Sequence, residues 1–313
     1  MRENLERFLH LISVAKTAPL PLVLTRGLRK LGFESSWTRQ VDFLHSRDTQ
    51  RATKAVDILL RTMERLSLPI RYLTARVPGA TLMEVGCGRH IGLASFAITL
   101  GAKRYIGVDP DLDAEILRRK GVVREYLEPA AKAAYLLAKH LSDSHDLSVD
   151  TFSLIEPPTL LESCTLVRGG VEALNLEPST VDLCVSISCL EHITDFPSAA
   201  SMISSVCHPD TLHLHIVNFS NHLSKRHPFK GLYDGPYAKF AAKWKGHING
   251  LRVSDVLRVF EGEGLLLSSF VLDARLNALP DQIHPEWADR YPRDELATRV
   301  ALLTNLPQLV DRR

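Results

Sequence analysis

The sequence predicts a doubly wound α/β fold, a mostly parallel sheet with helices on both faces, and three stretches carry that expectation. In TLMEVGCGRHIG, Thr81 to Gly92, a short apolar run ends in three glycines, Gly86, Gly88 and Gly92, and the chain continues through proline-free residues to Leu100 that suit a helix. In RYIGVDPD, apolar Tyr105, Ile106 and Val108 close on Asp109. In VDLCVSISCLEHI, Val181 to Ile193, a further buried strand runs into a polar turn. Strand, glycine turn and helix in that order build an anion site: glycines let the backbone approach a ligand, and the first helical N–H groups point at negative charge.

The glycine spacing, G-x-G-x-x-x-G with Glu84 two residues before the first glycine, departs from the G-x-G-x-x-G of dinucleotide sites. S-adenosylmethionine offers a carboxylate to the helix N-terminus, an ammonium to Glu84 and a ribose diol to Asp109. Plainer readings exist: the glycines serve a tight turn, Glu84 is a solvated strand end, and Asp109 opens the Asp-Pro-Asp turn. Taken in order, from about residue 80 to 272, the stretches resemble class I S-adenosylmethionine-dependent methyltransferases. Glu84-Val85-Gly86-Cys87-Gly88 matches their first motif, Asp109 their ribose acid, and Val181 to Ile193 their fourth strand with its Leu-Glu-His segment. The resemblance implies a Rossmann-like, seven-stranded sheet with an antiparallel last strand. It implies methyl transfer with S-adenosylmethionine as cofactor and S-adenosylhomocysteine as product.

Composition fits a globular chain: of 313 residues, 45% are hydrophobic and 24% charged. A net charge of +2, with no basic stripe interleaved with aromatics, gives no nucleic-acid signal. Cys87, Cys164, Cys184, Cys189 and Cys207 are odd in number and contain no C-x-x-C, which points to reduced thiols and a cytoplasmic protein. Residues 1–77 read as a basic helical extension. Glu3 and Glu6 spoil a signal peptide there, and the apolar, basic segment 1–31 suits either an anionic membrane surface or a helix packed on the main domain. Asp48 to Leu66 is a regular helix with Ala52, Ala55, Leu59 and Met63 on one face. In similar methyltransferases such extensions lie over the cofactor mouth or make a subunit contact, a homodimer among the options.

Residues 78–313 form the methyltransferase domain, with insertions at about 122–161 and 220–250. The first holds a helix, EPAAKAAYLLAKHL, and either covers an acceptor pocket or decorates the surface. SCTLVRGG is the third strand, and the resemblance makes Glu172 behind it the partner of the adenine amino group. With Glu84, Gly86, Cys87, Gly88 and Asp109, and with Ser186 and Ser188 lining the end of the fourth strand, this completes the expected cofactor site. His192 in Leu-Glu-His either acts as a general base or shapes the cofactor site.

TLHLHIVNFSNH is the fifth strand, and His222 at its end is the second base candidate. Phe229, Tyr233, Tyr237 and Trp244 either wall a small-molecule pocket, with Arg252 beside them, or pack the insertion on itself. The pattern H-x-I-V-N-F-S-N-H resembles a bacterial methyltransferase subgroup that reads H-x-I-D-L-x-D-H, with Asn218 and Asn221 in place of its aspartates. His213 and His215 share a strand face and His222 follows. Three histidines would suit zinc, but the carboxylates magnesium wants are asparagines, so no metal is assigned. The acceptor expected is a small molecule, most plainly an oxygen of a sugar, lipid-linked sugar or secondary metabolite. A catalytically silent partner-binding subunit is the alternative, and a nicotinamide oxidoreductase is disfavoured by the glycine spacing. LLLSSFVLDAR and DELATRVALLTN supply the last strand pair, joined by a proline-rich loop, residues 275–292, expected at the surface.

Overall fold

The computed structural model describes residues 35–45, 51–145, 153–222, 226–244 and 247–310. The expectations for residues 1–31 lie outside them. Seven strands form one sheet: β1 (Thr81–Val85), β2 (Arg104–Asp109), β3 (Cys164–Arg168), β4 (Val181–Ile187), β5 (Cys207–Asn218), β6 (Ser268–Ala274) and β7 (Thr298–Thr304). Their order is β3-β2-β1-β4-β5-β7-β6, parallel except that β7 runs antiparallel to both neighbours. The Rossmann-like fold with its reversed last strand is the one the motifs implied. Val85 pairs with Val108, and Asp109 with Arg168, so the strand tips that carry the motifs stand side by side.

Alternation along each strand divides the core in two. Leu82, Leu183, Val185, Leu212, Leu214 and Ile216 meet helices on one face, and Met83, Val108, Cys184 and Val217 meet them on the other. The first face is covered by α2 (Arg51–Arg65), α3 (Ala94–Thr99) and α4 (Glu128–His145). Helix α1 (Ser36–His45) precedes them. Ala55, Leu59 and Met63 of α2 are buried as their spacing predicted. The α4 helix lies in the region read as an insertion, but Ala134 and Ala138 bury against the first face, so it is an integral layer of the fold. The helix expected from Ile91 begins only at Ala94. Ile91 sits at φ 47°, and the chain turns before it can wind.

After α5 (Pro157–Glu162), the second face is covered by α6 (Phe196–Val206) and, past α7 (Tyr237–Trp244), by α8 (Val253–Gly262). A third core lies away from the sheet. Phe229, Tyr233, Phe240 and Trp244 close on Trp287, Tyr291 and Leu296. The proline-rich loop is therefore not a surface loop throughout: Trp287 is 1% exposed, because it plugs the aromatic cluster that the 220–250 segment cannot close alone. Among the described residues no helix is long and apolar enough to cross a membrane.

Candidate active site

The glycine loop is shaped by three contacts. Gly86 and Gly88 take φ of 77° and 64°, which side chains rarely tolerate, and a Cβ on Gly86 would stand 2.4 Å from Cys189 Sγ. Asp109 is half-buried at the tip of β2, where its Oδ2 accepts from Gly88 N at 2.8 Å and its Oδ1 from Asp111 N at 2.8 Å. Glu84 is 3% exposed and faces inward, where its Oε2 accepts from Leu93 N at 2.9 Å and from the Tyr105 hydroxyl at 2.5 Å. That carboxylate thus ties β1, β2 and the start of α3 together beneath the loop. Burial and the adjacent Glu84 push the Tyr105 hydroxyl well above its ordinary range, so it stays a donor. Cys87 is packed underneath, 1% exposed, and burial and then Glu84 raise its thiol well above normal.

Beside Asp109 opens a cavity of about 310 Å³, lined by Arg39, Asp42, Phe43, Arg89, Asp111, Asp113, Ile116 and Arg168. Its outer wall is α1. Arg39 Nη1 pairs with Asp113 Oδ2 at 2.9 Å, Arg89 Nη1 pairs with Asp42 Oδ2 at 2.9 Å, and Phe43 packs on His90 and Tyr126 with ring centroids 4.4 and 5.3 Å away. This part of the extension lies over the strand tips. The motifs did not single out α1 or Arg89, because nothing in their local sequence announces a partner more than 40 residues away. Glu172 is exposed on the turn after β3, with its carboxylate bent over Gly170.

At the tips of β4 and β5 a second group of expected residues comes together. Ser188 ends β4 with φ 50°, its amide donating to Ile216 O at 2.8 Å. Cys189 reaches the glycine loop, and Glu191 and His192 follow on a single 3₁₀ turn. His192 is exposed, its Nδ1 donating to the His247 carbonyl and its ring 4.9 Å from that of His222. His222 Nε2 donates to Asn218 O at 3.2 Å and stands 3.6 Å from Glu191 Oε1. Burial, then its neighbour His192, holds the His222 imidazole below its ordinary pKa against the pull of the Asn218 carbonyl. Glu191 is 4% exposed, and desolvation pushes its carboxyl up to about 8. Glu191 was not among the expected site residues. It stands in the same Leu-Glu-His segment as His192, and the signal was an acid with apolar neighbours at a strand tip. Asn249 straps this turn down, its Nδ2 donating to Leu190 O at 2.8 Å and Ile193 O at 3.0 Å.

Other expected site residues lie elsewhere. Ser186 is fully buried, 2.9 Å from His215 Nδ1, because the pleat turns it under the sheet. His213 and His215 share that buried face, His215 stacked on Phe260 at 5.3 Å, and do not approach His222. Cys184, Cys207 and His213 gather there too, sealed under the helices. The aromatic wall is a packed core instead: Phe229 and Tyr233 are 0% exposed and Trp244 5%, with Tyr237 partly buried on Trp287. Arg252 is 2% exposed, its Nη1 donating to Phe219 O at 3.0 Å and Tyr233 Oη at 2.9 Å, so it braces that core and does not face a ligand.

A seven-stranded sheet of this order, with a glycine loop after β1 and an acid at the tip of β2, defines a class I methyltransferase fold. The methyltransferase domain profile matches residues 39–267, and the chain belongs to that family. No curated protein matches it. It is similar to solved structures of a Haemonchus contortus phosphoethanolamine N-methyltransferase 2 in complex with phosphomonomethylethanolamine and S-adenosylhomocysteine (15% identity, TM-score 0.37, covering 66% of this chain and 38% of that one). It is also similar to a Mesorhizobium loti S-adenosylmethionine-dependent methyltransferase (16%, 0.38, 73% and 91%) and a Chlamydomonas reinhardtii arsenic(III) S-adenosylmethionine methyltransferase (18%, 0.37, 73% and 63%). The chain thus spans 38% of the Haemonchus protein's length.

Proposed function

We propose that the chain transfers the methyl group of S-adenosylmethionine to an oxygen of a small-molecule acceptor, a sugar, lipid-linked sugar or secondary metabolite. The observation that carries the reading is Asp109. A half-buried carboxylate at the tip of β2, bonded to the glycine loop and two residues before Asp111, which lines the 310 Å³ cavity, is an acceptor suited to the two hydroxyls of a ribose. Gly86 and Gly88 would hold the amino-acid tail, with Glu84, buried and bonded to Leu93 N rather than facing an ammonium, fastening the loop from below, and Glu172 would accept from the adenine amino group.

The cofactor supplies an electrophilic methyl. With S-adenosylmethionine bound, the acceptor oxygen would take its methyl as the C–S bond broke, and the acceptor proton would pass to the cluster at the tips of β4 and β5. His192 and His222 are the residues that favour this step, by their position at the carboxyl ends of the strands, where ligands bind in open α/β sheets.

Calorimetry on the full chain tests the reading. S-adenosylmethionine and S-adenosylhomocysteine are expected to bind with one site per chain, NAD not at all, and Asp109→Ala to weaken binding about a hundredfold, the loss of two charge-assisted bonds of about 1.5 kcal/mol each. Binding of NAD in place of S-adenosylhomocysteine would overturn it. Binding without turnover on any hydroxylated acceptor would favour the silent subunit.

A further inference from the structure

We propose that Glu191, His192 and His222 hold one divalent transition-metal ion at the mouth of the crevice. One donor atom from each lies within 4.8 Å of the other two. Ligand bonds of about 2.0–2.2 Å place neighbouring donors about 3–3.5 Å apart, so the three need close by only on the order of an ångström.

Two further observations point to a ligand. Glu191 Oε2 is fully buried and has no hydrogen-bond partner among the described residues, while its other oxygen accepts from Asn218 N at 3.3 Å. A buried carboxylate oxygen left without a donor is costly, and a cation chelated by both carboxylate oxygens, of which Oε1 stands 3.6 Å from His222 Nε2, would satisfy it. His192 Nδ1 faces a carbonyl oxygen, which only accepts, so Nδ1 is the donating nitrogen and Nε2 is the one available to a ligand. That is how a metal-ligating imidazole is oriented, its second nitrogen anchored on a backbone carbonyl. His222 is held in place at φ 57°, a backbone state disfavoured for a residue with a side chain, and its bond to Asn218 O would be exchanged for the ion.

Two imidazole nitrogens and one carboxylate oxygen suit zinc, manganese, cobalt or iron(II) rather than magnesium or calcium. Three protein ligands leave coordination positions open. An acceptor with two adjacent oxygens, such as a vicinal diol, could occupy them, and its bound hydroxyl would lose its proton more readily. In its function this inference rests on the methyltransferase reading and refines it: the imidazoles serve as ligands rather than bases. The binding of the ion does not depend on that reading.

The full chain, stripped with EDTA and dialysed, is titrated with Co²⁺ and followed by its visible d–d absorption, with Mn²⁺ spin resonance as a second count. One ion per chain is expected, with Glu191→Gln and His192→Ala each weakening it roughly a hundredfold. His208→Ala, an exposed residue at the opposite end of β5, should leave it unchanged. His192 is exposed, so its variant tests the site even if the Glu191 variant fails to fold. No saturable binding, or binding that both variants retain, overturns the site. Calorimetry of the stripped protein with S-adenosylhomocysteine separates the two readings. Cofactor binding without an ion site sinks only the metal. An ion site without cofactor binding sinks the methyltransferase reading and leaves the metal standing.

Discussion

Tyr105 shows how much of this site depends on one hydroxyl. Its hydroxyl donates to the same buried Glu84 oxygen that accepts from Leu93 N. Tyr105→Phe is expected to cost about 1–3 kcal/mol of stability in urea titrations, because the carboxylate stays buried with one donor fewer. An unchanged midpoint would show that the hydroxyl contributes nothing to holding Glu84. Gly86→Ala is expected to be worse. It combines a positive φ with a collision against Cys189, and calorimetry should show cofactor binding lost. Such positions were legible in the sequence because the demand is written in the residue type: a glycine where φ is positive, an acid at a strand tip. Ser186 and Phe229 were not legible in the same way. A serine at the end of a strand can face either side, and the side is set by helices far along the chain.

At the scale of elements, the start of α8 is held by a buried acid. Asp255 accepts from Arg252 N at 3.0 Å, Arg290 Nη2 at 2.9 Å and the Tyr291 hydroxyl at 2.6 Å. Burial alone would raise its carboxyl, but Tyr291, the Arg252 amide and Arg290 overcome that and hold it below the ordinary value. A depressed folded-state pKa gives stability that is present above the unfolded value near 3.8 and lost as pH falls through the folded one. Denaturation midpoints should therefore drop below about pH 4 more steeply for the native chain than for Asp255→Asn. Helix α1 makes a different contribution. Phe43→Ala should cost about 3–5 kcal/mol, and it should weaken cofactor binding too, since the same ring packs on His90 beside the glycine loop. The helix itself was outside the reach of the motifs. The α4 layer was visible as a helix, but its burial was not, because a run of alanines says little about which surface will cover it.

Across the whole molecule three cores divide the work. Two flank the sheet and set the strand tips. The third, around Trp287, closes the C-terminal loop against the 220–250 segment. Trp287→Ala is expected to cost about 3–5 kcal/mol in global stability while changing S-adenosylhomocysteine affinity less than about twofold, since nothing in that core lines the cavity by Asp109. A large loss of affinity at full folding would return the aromatic residues to the binding site. The two motif strands could be read from the sequence, as local pattern and spacing suffice for them, and the seven-stranded sheet followed from the family resemblance. The third core could not, for it joins segments about 50 residues apart that share no motif. One contact joins the two halves of the crevice: Cys189, wedged against Gly86, stands two residues before Glu191. Any rearrangement of the loop when the nucleoside arrives must push on the turn that carries the second ligand's anchors. The two substrates are thereby expected to load in a compulsory sequence, nucleoside first, and product-inhibition kinetics would reveal it as S-adenosylhomocysteine competing only with the methyl donor.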